Sequence, residues 1–332
     1  VDLSKPFMKK FIKVLAIIVV VILGLVALFG AYLKLALPNV GDPEELTIDP
    51  TPARIERGAY LANHVTVCMD CHSQRDWTQF SGPIGGNLGG GGEHFGPEMG
   101  FPGDFYSKNI TPYNLGDWSD GEIFRLITSG VNKDGNPIFP VMPYHAYGRM
   151  DREDIFSIIA YIRTLEPISK DISDSKAIFP VNFLLHTMPQ KAAFTTLPDT
   201  NDQVAYGQYL VNAAGCIDCH TPVKQGKIIP ELAFSGGREF AMPGGLIVSS
   251  NITSHTENGI GGWTDDVFVR RFKAYVDSAA NLQVEPGQLN TIMPWVMYAG
   301  MKERDLRAIY AYLQTLEPID HRVVAFQSQA KN

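Results

Sequence analysis

The stretch CMDCH, from Cys68 to His72, returns as CIDCH from Cys216 to His220, and together they use all four cysteines of the 332-residue chain. The repetition reaches far beyond these five residues. A first series reads RGAYLANHVTVCMDCH, then NIT, then DWSDGEIFRLITSG, then VMPYHAYGRMDREDIFSIIAYIRTLEPI. The second reads YGQYLVNAAGCIDCH, NIT, GWTDDVFVRRFKAYV and IMPWVMYAGMKERDLRAIYAYLQTLEPI, in the same order. A pattern of this length, repeated in order, is a duplicated structural unit, so the chain must fold as two similar domains, 53–168 and 201–320.

The pieces of each unit read as helices. Ile55, Ala59 and Ala62 form an apolar stripe ahead of the first cysteine pair. Ser119 stands three residues before Glu122, a capping-box pattern, and Gly130 ends that helix; Thr264 is the corresponding cap in the second unit. The last helices start near Asp151 and Lys302 and stop before Pro167 and Pro318. Period-two alternation is scarce, so the expected class is all-α, with long loops such as the Gly-rich Ser81–Gly100. Loops of this kind need a ligand to pack against.

Four chemistries can use Cys-x-x-Cys. A zinc ribbon wants its pairs roughly 15 to 20 residues apart, and Cys71 and Cys216 are far more widely separated. A thioredoxin-type pair sits in a βαβ pattern that is absent here. Disulfides would leave the histidine after each pair unexplained. Covalent haem accounts for every residue: Cys68, Cys71, Cys216 and Cys219 form thioethers, while His72 and His220 reach the iron.

The sixth iron ligand decides what a haem can do, because methionine fills the position and raises the potential. Met142 and Met293, each in a Met-Pro step, occupy matching places, as do Met150 and Met301. The first pair is favoured because helix packing already explains the second. His94 and His145 have no counterpart in the second unit.

Near its start the chain runs from Val14 to Leu33, twenty residues, without a charge. At about 1.5 Å per residue this spans roughly 30 Å, a hydrocarbon core, and it exceeds the roughly 7–15 apolar residues of a signal peptide. The expectation is an uncleaved N-terminal anchor over 1–37, with the span at 14–33. A Pro-rich tether over 38–52 comes next, and the remaining segments are a connector over 169–200 and a tail over 321–332. Lys5, Lys9, Lys10 and Lys13 precede the span, which by the positive-inside rule keeps that end cytoplasmic and exports the rest. Residues 1–34 carry +4 of the net −7, leaving −11 for the exported part. Such a balance speaks against nucleic acid or an anionic membrane surface as a partner. The apolar run Ala177–Leu185 in the connector is expected to pack across both domains, with lipid or a partner subunit as alternatives.

Each unit resembles a class I cytochrome c domain, on the opening helix with Gly58 and Tyr60 (Gly207 and Tyr209), CxxCH, the Met-Pro step and the closing helix IIAYIRTL or IYAYLQTL. The tandem order with GG, NIT, GW(S/T)D and MPY is similar to the membrane-bound cytochrome c subunits that collect electrons from periplasmic dehydrogenases. Subunits of that type commonly carry three haem motifs and a C-terminal anchor, whereas this sequence has two motifs and an apolar segment near its start.

The resemblance implies a crossing of the opening and closing helices at Gly58 with Tyr161 and at Gly207 with Tyr312. It also implies that Trp118 and Trp263 line the haem and donate toward a propionate, plain core packing being the alternative. Asn109 and Asn251 would satisfy backbone or propionate groups, and Arg125, Arg238, Arg270 or Arg271 would supply counter-charge. These features together imply an electron carrier with two covalent haem c groups at a bacterial inner membrane, its haem domains facing the periplasm. Its partners would be a dehydrogenase or membrane electron-transfer complex, with a soluble cytochrome or terminal oxidase as further options. No hydrolase, metalloprotease or phosphate-loop pattern is present. The alternative is a diheme peroxidase, which His94 and His145 keep open.

Overall fold

The computed structural model describes residues 4–276, 282–285 and 287–328. Its first element is the helix Ser4–Leu35, of which Met8–Leu35 is long and apolar enough to cross a membrane. The tether after it is extended, as four prolines in fifteen residues dictate, but it is not a free spacer. Ile48 N–H donates to Asp120 at 2.8 Å and Glu44 pairs with Arg152 at 2.6 Å, so the tether lies docked along the first unit.

Both units are built on a crossed pair of helices. Pro52–Tyr60 packs on Arg152–Ile162 in the first, and Gln203–Ala213 on Glu303–Leu313 in the second. Glycine sets the closeness of each crossing. A Cβ on Gly58 would lie 1.8 Å from the Ser157 carbonyl oxygen and 2.8 Å from Tyr161 Cβ; on Gly207 it would lie 1.9 Å from the Ala308 oxygen and 3.0 Å from Tyr312 Cβ. The two contact pairs implied by the resemblance therefore meet. The expected caps also form: Ser119 and Glu122 make both halves of a capping box, and Thr264 accepts from Val267 N–H.

One difference between the units is visible in the opening helix. From Gly58 to Cys68 is ten residues, from Gly207 to Cys216 nine. The first unit absorbs its extra residue as a π turn, Leu61–Val65, running on from the α-helix, whereas the second helix stays regular to Ala213. A one-residue insertion widens a turn in this way without breaking the hydrogen-bond ladder on either side.

The all-α expectation needs correcting. Short hairpins follow each Cys turn, Gln74–Arg75 with Ile84–Gly86 and Val223–Lys224 with Lys227–Ile228. Each unit also carries a three-stranded antiparallel sheet. His94–Phe95, Gly103–Tyr106 and Lys176–Ala177 make one; Glu239–Met242, Gly245–Val248 and Phe326–Ser328 make the other. The third strand comes from the connector in one case and the tail in the other, so the repeat as folded runs past 168 and past 320. Residues 329–332 of the expected tail lie outside the described residues. These strands are two to four residues long, too short for period-two alternation to register.

The units pack against each other with reciprocal contacts. Tyr60 Oη donates to Asp305 and Tyr209 Oη to Asp154, both at 2.6 Å, and Arg57 holds Asp154 through two bonds of 2.8 Å. The helices after the Met-Pro steps reach across as well. Asn212 Nδ2 donates to the Ala146 carbonyl at 2.9 Å, and the His64 ring meets the Met297 carbonyl at 3.0 Å. Most of the connector runs along the first unit rather than across both. Phe194 stacks on Phe124, and Thr195 Oγ1 donates to the Arg149 carbonyl at 2.6 Å.

Candidate haem-binding sites

In each unit the Cys pair occupies a single helical turn, Cys68–Cys71 and Cys216–Cys219, with the histidine as its C-cap. One turn presents both sulfurs on the same side, and none of the four cysteines is in a disulfide. The histidine after each turn is held twice, by its ring and by its own peptide.

His72 Nδ1 lies 2.6 Å from the Lys108 carbonyl oxygen and His220 Nδ1 lies 2.7 Å from that of Ser250. A carbonyl only accepts, so Nδ1 carries the proton in both rings and the Nε2 lone pair is free for a metal. Loss of water around each ring pushes its pKa below the ordinary value, with the carbonyl contact opposing. Both imidazoles are therefore held neutral, the form that ligates.

On the peptide side, Gly91 N–H donates to the His72 carbonyl at 2.9 Å, and Gly236 N–H to that of His220 at 2.8 Å. Both glycines have positive φ, +66° and +73°, and a Cβ on either would stand 2.4–2.7 Å from the backbone just ahead of the NIT segment. That backbone supplies the acceptors Lys108 and Ser250, so only glycine lets the loop close against it.

The NIT asparagines lock the same backbone. Asn109 Nδ2 donates to the carbonyls of Ile168 and Lys170, and its Oδ1 accepts from Thr111 N–H and Oγ1. Asn251 does the same with Ile319, His321 and Thr253. Each amide uses its two donors and two acceptor sites on backbone and threonine. Asn251→Ala is expected to strand these partners and lower stability by about 2–4 kcal/mol; a denaturant midpoint shared with the parent chain would contradict this.

The methionines differ in setting. Met150 and Met301 are fully buried in the hydrophobic core, where a thioether is packing. Met142 and Met293 pack at the core's margin and remain partly accessible. Just beyond them Tyr147 Oη donates to the Thr66 carbonyl and Tyr298 Oη to that of Ala214, both at 2.9 Å. These bonds tie each post-methionine helix to the residue two places before the first cysteine of its own unit. Burial holds both phenols well above their usual pKa, so they remain neutral donors.

Sequence reasoning missed one support, because it comes from the other unit. Ser81 is fully buried, and its Oγ donates to the Met293 carbonyl at 2.6 Å and accepts from Trp295 N–H at 3.0 Å. Ser81 N–H in turn donates to Asn290 Oδ1 at 2.9 Å. The second methionine step is thus propped by a loop of the first unit.

Trp263 is 37% exposed. Trp118 packs at the core margin with Lys133 over its ring, and the backbone carbonyls of both tryptophans are bound from the closing helix, by Arg163 and Tyr310. Arg125 is spent on the carbonyls of Gly41, Asn132 and Lys133, which fixes the tether and a turn. Arg270 is exposed, and Arg271 stacks on Trp295 while bonding Tyr275. Arg238 alone of the four reaches a Cys turn, donating to the Asp218 carbonyl. Arg75, which the sequence did not single out, pairs with buried Asp70 of the first turn at 3.0 Å. His94 is engaged by Asp104 at 2.9 Å and Glu98 at 3.6 Å, and His145 by Asp218 of the second turn at 3.3 Å.

Two Cys-Cys-His turns, each with a neutral, oriented imidazole, form a donor set that fits covalent haem c. Known proteins similar to the chain agree in class. The chain is 28% identical over 292 residues to the cytochrome c subunit of a quinone alcohol dehydrogenase from Gluconacetobacter polyoxogenes, covering 82% of this chain and 58% of that one. It is 28% identical over 285 residues to the fructose dehydrogenase cytochrome subunit of Gluconobacter japonicus, covering 81% and 54%. A diheme cytochrome c-type protein of Cereibacter sphaeroides is 25% identical over 311 residues, covering 90% and 97%. No family model matches the chain. The chain spans a little over half the length of the dehydrogenase subunits. Several of these relatives are thus named as cytochrome subunits of dehydrogenases, and one as a diheme cytochrome.

Proposed function

We propose that the chain is a membrane-anchored diheme cytochrome c that relays single electrons as a subunit of a periplasm-facing dehydrogenase or respiratory complex. The observation that carries this reading is the duplicated histidine cradle, with Nδ1 bound and Nε2 free beside two thiols on one turn. Cys68 and Cys71, with Cys216 and Cys219, would hold the two haems, and His72 and His220 would be the proximal ligands. Met142 and Met293 would be the distal ones. When bound, haem supplies the one-electron ferric–ferrous couple. The protein's part is to fix the imidazole against the NIT backbone and to keep the methionine step in place, so little reorganises when the charge changes.

Ser81 gives this reading an asymmetry. Ser81→Ala is expected to loosen Met293 and weaken the thioether-to-ferric charge-transfer band of the second haem, leaving the first unchanged. Equal loss from both haems would contradict it.

The peroxidase alternative finds no support in these relatives, and both histidines that kept it open are engaged by carboxylates. Purification of the full chain from its native membrane tests the relay. Co-purifying dehydrogenase chains, whose substrate reduces both haems, are the expected result. Turnover of hydrogen peroxide without such a partner would sink the proposal.

A further inference from the structure

The connector turn beyond the first unit's sheet does not join the core. Its short helix Val181–Leu184 and the 3₁₀ turn Leu185–Thr187 lie beside the end of the apolar helix. Leu33 is the one buried side chain among the described residues of Met8–Leu35. A Cβ on Gly30 would be 3.8 Å from the Phe183 ring, Lys34 Nζ sits 5.2 Å from that ring's centre, and the His186 ring meets the Leu37 carbonyl at 3.1 Å. The turn is thus registered against residues 30–37.

That register fixes its depth. The charge-free run Val14–Leu33 is about 30 Å long at about 1.5 Å per residue, the thickness of a hydrocarbon core. The hydrocarbon boundary then falls at Leu33 and the Lys34 ammonium in the headgroups. In this turn and the residues leading into it, Ile178, Phe179 and Leu184 are 58%, 77% and 45% exposed. Phe179 meets Phe183 edge-on at 6.2 Å, so the apolar surface is continuous with the contact on the helix. Three large apolar side chains beside a membrane boundary match the composition of an interfacial segment, with a lysine at headgroup level.

We propose that Ile178–Leu184 is a second membrane contact, inserted in the boundary between headgroups and acyl chains next to the apolar helix. The proposal rests on the reading of that helix as a membrane span. Its consequence is orientation. Lys176–Ala177 pairs with Gly103–Asp104 of the first unit, and the tether is docked on the same unit. A helix and a wedge together hold that unit at one height and one tilt over the membrane, where a single tether would let it swing.

The test uses the full haem-loaded chain in phospholipid nanodiscs, with nitroxide labels at Phe179→Cys, Leu25→Cys and Val223→Cys and the parent chain as the labelling blank. Power-saturation electron paramagnetic resonance compares access to oxygen with access to a water-soluble nickel chelate. The expected result is oxygen-favoured relaxation at 25, an intermediate ratio at 179 and chelate-favoured relaxation at 223. A label at 179 as open to the chelate as that at 223, with 25 still in lipid, overturns the wedge alone. Chelate access at 25 overturns the spanning helix and the wedge with it. Phe179 is largely exposed, so its substitution leaves the fold intact; Ile178→Cys repeats the reading from a neighbouring side chain.

Discussion

Gly58→Ala is expected to destabilise the first unit by about 3–5 kcal/mol, above the roughly 1–3 kcal/mol that overpacking usually costs and a large part of a domain's usual 5–15 kcal/mol. The added methyl would stand 1.8 Å from the Ser157 carbonyl oxygen and 2.4 Å from its carbon. Those are backbone atoms in the middle of the closing helix, so relief requires the two helices to separate. Separation in turn moves Tyr60 off Asp305, which it bonds across the interface at 2.6 Å, so the damage spreads to the second unit. Chemical denaturation of the haem-loaded chain should show a lower midpoint for Gly58→Ala and for Gly207→Ala. Gly24→Ala, which meets nothing within 4 Å, should show no such drop. Equal midpoints for all three would mean that the helices do not cross at these glycines.

The second large effect is electronic. Met142→Ala and Met293→Ala should each remove one thioether ligand and drop the potential of one haem by on the order of 0.2 V, within the roughly 0.8 V over which axial ligands move haem potentials. The other haem should keep its potential in each variant. Met150→Leu and Met301→Leu are the contrast, since both methionines are fully buried and a volume-conserving change there costs under about 1.5 kcal/mol. Redox titration separates the two possibilities. If the buried pair rather than the accessible pair shifts the potentials, the assignment of distal ligands is reversed.

The parts of this molecule that were legible in the sequence are those fixed by local chemistry or by the repeat. Ser119 and Thr264 announce helix starts because a side-chain oxygen must meet an unpaired N–H. Gly58 and Gly207 stand out because they recur at one place in both units. The strands were hidden, being two to four residues long and dependent on partners from the connector and the tail. Ser81 could not be found from its neighbours in the chain, because its role exists only after the two units meet. Trp263 is a further case: its recurrence in both units suggested a cofactor contact, and what the structure adds is that its carbonyl is held from the closing helix while its side chain is partly exposed. The NIT asparagines were half legible. Their recurrence marked them, but only the geometry shows that every polar group on the amide is already used.

The central claim is that each unit holds one haem c between its histidine and its methionine step. Near-infrared magnetic circular dichroism of the purified oxidised chain, with haem counted per polypeptide by pyridine haemochrome, tests it most directly. The account predicts two haems, both low-spin and both showing the thioether-to-ferric band, unchanged in ligation when the protein is half-reduced. A single haem, or one haem that lacks the band or turns high-spin on half-reduction, would contradict it.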